Sequence, residues 1–172
     1  MRVFRKYAAL AAAVLGAGCV ATAPQVREPD RLRTPFDAKE HAPFAATGTA
    51  SIKGQAFLRQ RGGGVVTCAG SAALLMPYTE YFLESTWYAR ERRHLTHEPD
   101  ARAMLPAILR KTHCDAQGNF SFDRLPAGRY IVLTEVVWDV AGRRQGGVVM
   151  TLAGVSEGST SSVIISDATP LR

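Results

Sequence analysis

Four residues in the middle of the chain, His94, His97, Glu98 and Asp100, have the side chains of a metal site. Histidines at i and i+3 share a face if the segment is helical, and His113 supplies a third imidazole from further along. Pro99 interrupts that segment, so the competing expectation is a solvated polar loop. Asp115 and Asn119 have the spacing that opens a calcium loop, but no glutamate closes it where the ion requires one. Catalytic arrangements are missing from the sequence. Ser71 lies in Ala69-Gly70-Ser71-Ala72, without the spacing of a nucleophile elbow. His97-Glu98 is followed by Pro99-Asp100-Ala101 and so does not form the paired-histidine zinc helix. The expectation is a chain with no enzyme activity, no cofactor and no bound metal.

The cysteines carry a different chemistry. There are three, Cys19, Cys68 and Cys114. Arg2, Arg5 and Lys6 precede a short apolar run, Tyr7 to Leu15, too short to span a bilayer, and then Gly16-Ala17-Gly18. Small residues abutting Cys19 after such a run resemble the lipobox of bacterial lipoproteins. That resemblance implies residues 1–18 as a signal peptide and Cys19 as a lipidated first residue. An ordinary secretory signal cleaved near Ala21 or Ala23 is the alternative. Val20, where an aspartate would hold such a protein at the inner membrane, points to an outer-membrane lipoprotein facing the periplasm. A secreted or soluble periplasmic protein is the other outcome. Cys68 and Cys114 then remain as an even pair in an oxidising compartment, expected as a disulfide or else as two buried thiols.

Charge excludes one class of partner. The chain carries 21 basic and 15 acidic residues, a formal +6; without Arg2, Arg5 and Lys6 this falls to +3. Such mild basicity gives no reason to expect a nucleic acid. The expected partners are the membrane, through the lipid, and envelope proteins or glycans.

These groups need a scaffold. Residues 19–46, with Pro24, Pro29, Pro35 and Pro43, show no sustained period and read as a tether spanning about 30 Å if flexible. The folded domain is expected over 47–172. Thr49 to Leu58, with a possible bulge at Gly54, and Val65 to Met76 read as the first two strands, joined by Gly62-Gly63-Gly64. Tyr78 to Arg93 has helical spacing, with Thr79 as its N-cap and an aromatic face of Tyr78, Tyr81 and Phe82. That face is expected in the core; an aromatic groove formed by Tyr78, Tyr81 and Trp87 is the alternative. Arg90, Arg92 and Arg93 at the helix end are expected in solvent, with anionic headgroups as the other possibility. A short helical turn, Ala101 to Leu105, is expected to stop at Pro106, and a third strand to run from Ala107 to His113.

The strongest pattern is Cys114 to Trp138. Phe120 and Phe122 alternate after a turn at Asp115 to Gly118; a second turn, Leu125 to Gly128, leads into a long strand from Tyr130 to Trp138. Tyr130, Val132, Thr134 and Val136 share one face, and Ile131, Leu133 and Val137 the other, as in a central strand covered on both sides. Gly147 to Val155 and Ser161 to Ser166 complete seven strands. Asp115, Gly118, Phe120, Phe122, Leu125, Pro126, Gly128 and Tyr130 resemble the D-x-x-G-x-F-x-F and L-P-x-G-x-Y motifs of the carboxypeptidase regulatory-like domain. The resemblance covers roughly 47–166 and implies an all-β, seven-stranded antiparallel transthyretin-like sandwich, here with one helix inserted after the second strand. It implies a module and no reaction. The same fold hosts hydroxyisourate hydrolase, which ends in Tyr-Arg-Gly-Ser; this chain ends Thr169-Pro170-Leu171-Arg172. A non-catalytic envelope module is therefore expected. The alternative is a small-ligand or metal-binding periplasmic protein with weak hydrolase activity, built on the aromatic helix and the histidine loop.

Overall fold

The computed structural model describes residues 29–166; the expected signal peptide, Cys19 and the expected tether as far as residue 28 lie outside the described residues, as do 167–172. In chain order the elements are β1 (Asp30–Arg31), α1 (Ala38–His41) followed by a 3-10 turn (Ala42–Ala45), β2 (Ala50–Arg59), β3 (Val65–Thr67), β4 (Ala72–Pro77), α2 (Glu80–Arg90), β5 (Leu95–Thr96), α3 (Pro99–Ile108), β6 (Arg110–His113), β7 (Asn119–Leu125), β8 (Gly128–Val140), β9 (Arg143–Val155) and β10 (Thr160–Ser166). The fold is predominantly β, in two four-stranded sheets with a helical layer on one of them.

In the first sheet β2 pairs with β10 along one edge, and with β7 and then β3 along the other. Small residues on the inner face of β2 leave room for the aromatics of β7. Gly54 lies opposite Phe120. A Cβ there would sit 2.5 Å from the Phe120 ring and 2.7 Å from Val163. Gly54 is thus a close-approach position; the irregularity in β2 falls between Ala50 and Ile52 instead. The second sheet has the order β6-β4-β8-β9. Tyr130, Val132 and Val136 of β8 pack between the sheets with Phe120, Phe122 and Leu125. Ile131 and Leu133 face the other way, under Tyr81, Phe82 and Ile108. The double-sided burial read from β8 is what the structure shows.

Three expectations about the strands and the N-terminal segment change. The second strand is two, β3 in one sheet and β4 in the other, because residues 68–71 carry the chain across, with Gly70 at φ 75. The main sheets therefore hold eight strands, not seven. They are not wholly antiparallel either. The 156–159 turn crosses between the sheets, so β10 reaches β2 in the parallel direction. Third, residues 29–46 do not form a tether. β1 pairs with β5 in parallel, Phe36 stacks on His41 with centroids 4.4 Å apart, and Phe44 meets Tyr130 edge-on at 5.4 Å. Leu32, Phe36 and Phe44 supply apolar area that the prolines around them obscure in the sequence.

His41 is the buried anchor of that segment, at 0 % exposure. Its Nδ1–H donates to the Asp37 carbonyl, 2.6 Å away. Nε2 then accepts from the Thr79 hydroxyl at 3.0 Å. The same Thr79 oxygen accepts from the Phe82 amide and caps α2, as the sequence leads one to expect. α3 runs through Pro106 to Ile108, correcting the expected stop. A proline in the last turn forfeits one bond, to the Arg102 carbonyl, and the Leu109 amide still closes on the Leu105 carbonyl at 2.9 Å.

Candidate functional site

Cys68 and Cys114 form a disulfide with their Cα atoms 5.8 Å apart. Each follows a strand where the chain leaves one sheet for the other, so the bond ties the two crossovers together. The Cys114 amide donates to the Ser71 carbonyl and the Gly70 amide to the Cys114 carbonyl, which fixes the loops side by side.

The turn after Cys114 consumes its own polar groups. One Asp115 carboxylate oxygen accepts from the Gln117 and Asn119 amides at 2.9 and 2.8 Å, and the other from the Asn119 side chain at 2.9 Å. The Asn119 side chain and amide hold the Asp115 carboxyl below the usual aspartate range. Gly118, at φ 81, takes a conformation that favours glycine, and its carbonyl accepts from the Ala56 amide. In the second turn the buried Tyr130 hydroxyl donates to the Pro126 carbonyl at 2.7 Å, and burial pushes Tyr130 up to about 12. Gly128 lies against the Phe44 ring, 2.8 Å from where a Cβ would stand.

Of the candidate metal ligands, only His97 and Glu98 line one cleft together among the described residues. His113 lines an open groove with Lys53, Asp115 and Ser121, whereas His97 lies between α2 and α3. No group of three or more metal-ligating side chains comes together among the described residues. The aromatic trio is also divided. Tyr81 is buried, Tyr78 lies under the Arg129 guanidinium at 4.1 Å, and Trp87 is half exposed. Of the arginines ending α2, Arg92 pairs with Glu135 at 2.8 Å and Arg93 with both carboxylate oxygens of Asp30, beneath Trp87 and Tyr88. Those cations are therefore engaged within the protein. Glu84 receives the Arg33 and Thr34 amides, each at 2.9 Å. Burial alone would raise its pKa, but those amides outweigh burial and hold it low.

A further concavity lies at the tip of the two sheets. The β2–β3 and β8–β9 hairpins together enclose about 890 Å³, bounded by Arg59, Gln60, Arg61, Trp138, Arg143 and Gln145. Ala141 and Gly142, at φ 48 and 74, make the two-residue turn that lets β8 and β9 run for thirteen residues each. Trp138 pairs across with Gln145, and an added Cβ on Gly146 would stand 2.1 Å from the Val136 carbonyl and 2.8 Å from the edge of the Trp138 indole. Gly146 is at φ 81. A bare backbone thus seats the ring, with planar amide and guanidinium groups around it. None of the residues lining the tip is acidic. Only Trp138 among these was singled out from the sequence, and as a strand residue. The signal for the rest was compositional: RQRGGG after one strand and AGRRQGG after another share arginine, glutamine and glycine.

No known family's sequence profile matches the chain, and no curated protein matches it. Among solved structures, it is similar in fold to a Pseudomonas aeruginosa protein described as a "putative carbohydrate binding protein". The TM-score is 0.61 at 24 % identity, over 76 % of this chain and 97 % of that one. At that identity the likeness is one of fold.

Proposed function

We propose that this protein is a non-catalytic binding module of the cell envelope that takes a glycan at the hairpin tip. The observation that carries the reading is the seating of Trp138 on Gly146 among side chains with planar hydrogen-bonding groups. An indole face packs against the C–H face of a sugar ring, while amides and guanidinia bridge adjacent hydroxyls. Glycoside cleavage uses a pair of carboxylates, and the tip lining offers none, so a bound sugar would leave intact. The description of the solved neighbour supports the same ligand class. In this reading the sandwich is a carboxypeptidase regulatory-like, transthyretin-like module whose extra helices are insertions. A lipid on Cys19 holds it at the outer membrane, and the disulfide suits the periplasm.

Glycan-array screening followed by calorimetry tests the ligand. Trp138→Ala is expected to weaken binding at least about tenfold, as for an aromatic hot spot, while Trp87→Phe leaves it unchanged. Equal affinity of Trp138→Ala and wild type would refute the site. Mass spectrometry of the native N-terminus tests the anchor: a free amine beyond Cys19 refutes it.

A further inference from the structure

We propose that the cleft between α2, α3 and the N-terminal strand is a second binding site, for a small hydroxylated monocarboxylate. The cleft holds about 310 Å³ and is separate from the hairpin tip. At about 30 Å³ for each water-sized group, it accommodates a molecule of roughly ten such groups, the size of one sugar acid. Leu32 and Pro99 form apolar parts of its wall, and Arg31, Tyr81, Thr96, His97, Glu98 and Arg102 supply the polar groups.

The floor is rigid. Tyr81 is 1 % exposed, with its ring edge-on to Phe36 and Phe82 at 5.1 and 5.4 Å. Its hydroxyl lies 2.6 Å from His97 Nδ1. Burial, with Glu98 and Glu84 nearby, pushes Tyr81 up to about 12, so the hydroxyl keeps its proton. Burial also lowers His97, which favours the neutral ring. A protonated phenol beside a neutral imidazole donates to Nδ1 and leaves the proton of the ring on Nε2 as a donor. His97 is thereby held in one tautomer and one orientation.

The rim supplies charge. Arg92, Arg93 and Arg144 each have a carboxylate partner; Arg31 and Arg102 have none among the described residues. With Glu98 as the single lining carboxylate, two guanidinia leave an excess of one positive charge. That balance matches one carboxylate better than a phosphate dianion, and guanidinium meets carboxylate in a two-bond fork. Glu98 precedes α3 without capping it through its side chain, which leaves first-turn amides free of a side-chain acceptor at the same rim. Thr96 and Glu98 provide partners for the hydroxyls of the ligand.

The test is calorimetry on the protein from residue 20 onward, with glucuronate, glucose and inorganic phosphate as probes, followed by the His97 ring signals in NMR. Saturable glucuronate binding that shifts the His97 signals is expected, with at least tenfold weaker glucose binding. Arg102→Gln and Arg31→Gln, both at exposed positions, are each expected to weaken glucuronate about tenfold, and Trp138→Ala to leave it unchanged. Three outcomes overturn the proposal: no glucuronate uptake at millimolar concentration, equal affinity for glucose, or wild-type affinity in Arg102→Gln with unmoved His97 signals. Phosphate binding as tight as glucuronate overturns the choice of carboxylate.

Discussion

Reducing the Cys68–Cys114 bond should remove a large part of the stability of the sandwich. The two residues are 46 apart in sequence, so the bridge closes a loop of 47 residues counting both ends. The chain-entropy relation gives about −14 cal/mol/K for such a loop, or about 4 kcal/mol at 25 °C. A domain of this size is stable by only about 5–15 kcal/mol, so the loss is a substantial fraction of the whole. With a urea slope of about 2 kcal/mol/M, the unfolding midpoint should fall by about 2 M. The assay is urea unfolding followed by far-UV circular dichroism, with and without a phosphine reductant, which leaves every atom of the core in place. Both sulfurs belong to buried residues, at 0 and 5 % exposure. Reduction of the native protein should therefore be slow and should accelerate in sub-denaturing urea as the crossovers open. A midpoint shift below about 0.5 M, worth about 1 kcal/mol, would show that the crossovers hold their positions without the bond. The entropic argument would then fail.

Two more perturbations probe the parts that sequence reasoning handled differently. His41→Ala removes a fully buried ring with two hydrogen bonds and a stacking partner, and should cost about 2–4 kcal/mol. Limited proteolysis of this variant should cut within 30–46 before the sandwich opens; a digestion pattern identical to wild type would contradict the anchoring role. Asp115 has a depressed folded pKa, so its turn contributes stability above the ordinary aspartate value and loses it as pH falls through the folded value. Melting temperature measured against pH should fall less steeply in acid for Asp115→Asn than for wild type. Parallel curves would mean that the carboxylate does not support the turn.

How much of this was legible follows from the range over which each signal acts. The alternation of β8 was readable because burial on both faces is written in consecutive residues, Tyr130 to Val136. The cap at Thr79 and the turn at Asp115 are equally local. The disulfide was readable from parity and compartment, although no local pattern placed it at the sheet crossovers. The split at residues 68–71 was hidden because both halves of Val65 to Met76 are apolar, and only the choice of neighbouring strand separates them. The parallel pairing of β10 depends on which edge of β2 stays open, a long-range fact. The packing of residues 29–46 is hidden in the sequence because three prolines, Pro29, Pro35 and Pro43, dominate the composition, while three widely spaced side chains, Leu32, Phe36 and Phe44, do the packing. The hairpin tip was invisible for the same kind of reason, since its halves join only when the two sheets face each other.

In the proposed reading, the division of polar groups marks where recognition would reside. The motif residues that made the chain resemble a known module are spent on the fold itself. Asp115 is occupied by its turn, Phe120 and Phe122 by the core, and the Tyr130 hydroxyl by Pro126. A side chain whose hydrogen bonds are already satisfied offers little to a ligand, because binding would have to break what it replaces. The arginines divide along the same line. Arg92 and Arg144 share Glu135, and Arg93 pairs with Asp30. Arg59, Arg61 and Arg143 at the tip, and Arg31 and Arg102 at the cleft, have no carboxylate partner among the described residues and converge on concave surface. Unspent donors around a hollow are the physical requirement for selecting a polar ligand. On this protein they occur on hairpins and on the helical layer, away from the conformational motif, so the scaffold and the proposed recognition surfaces can vary independently.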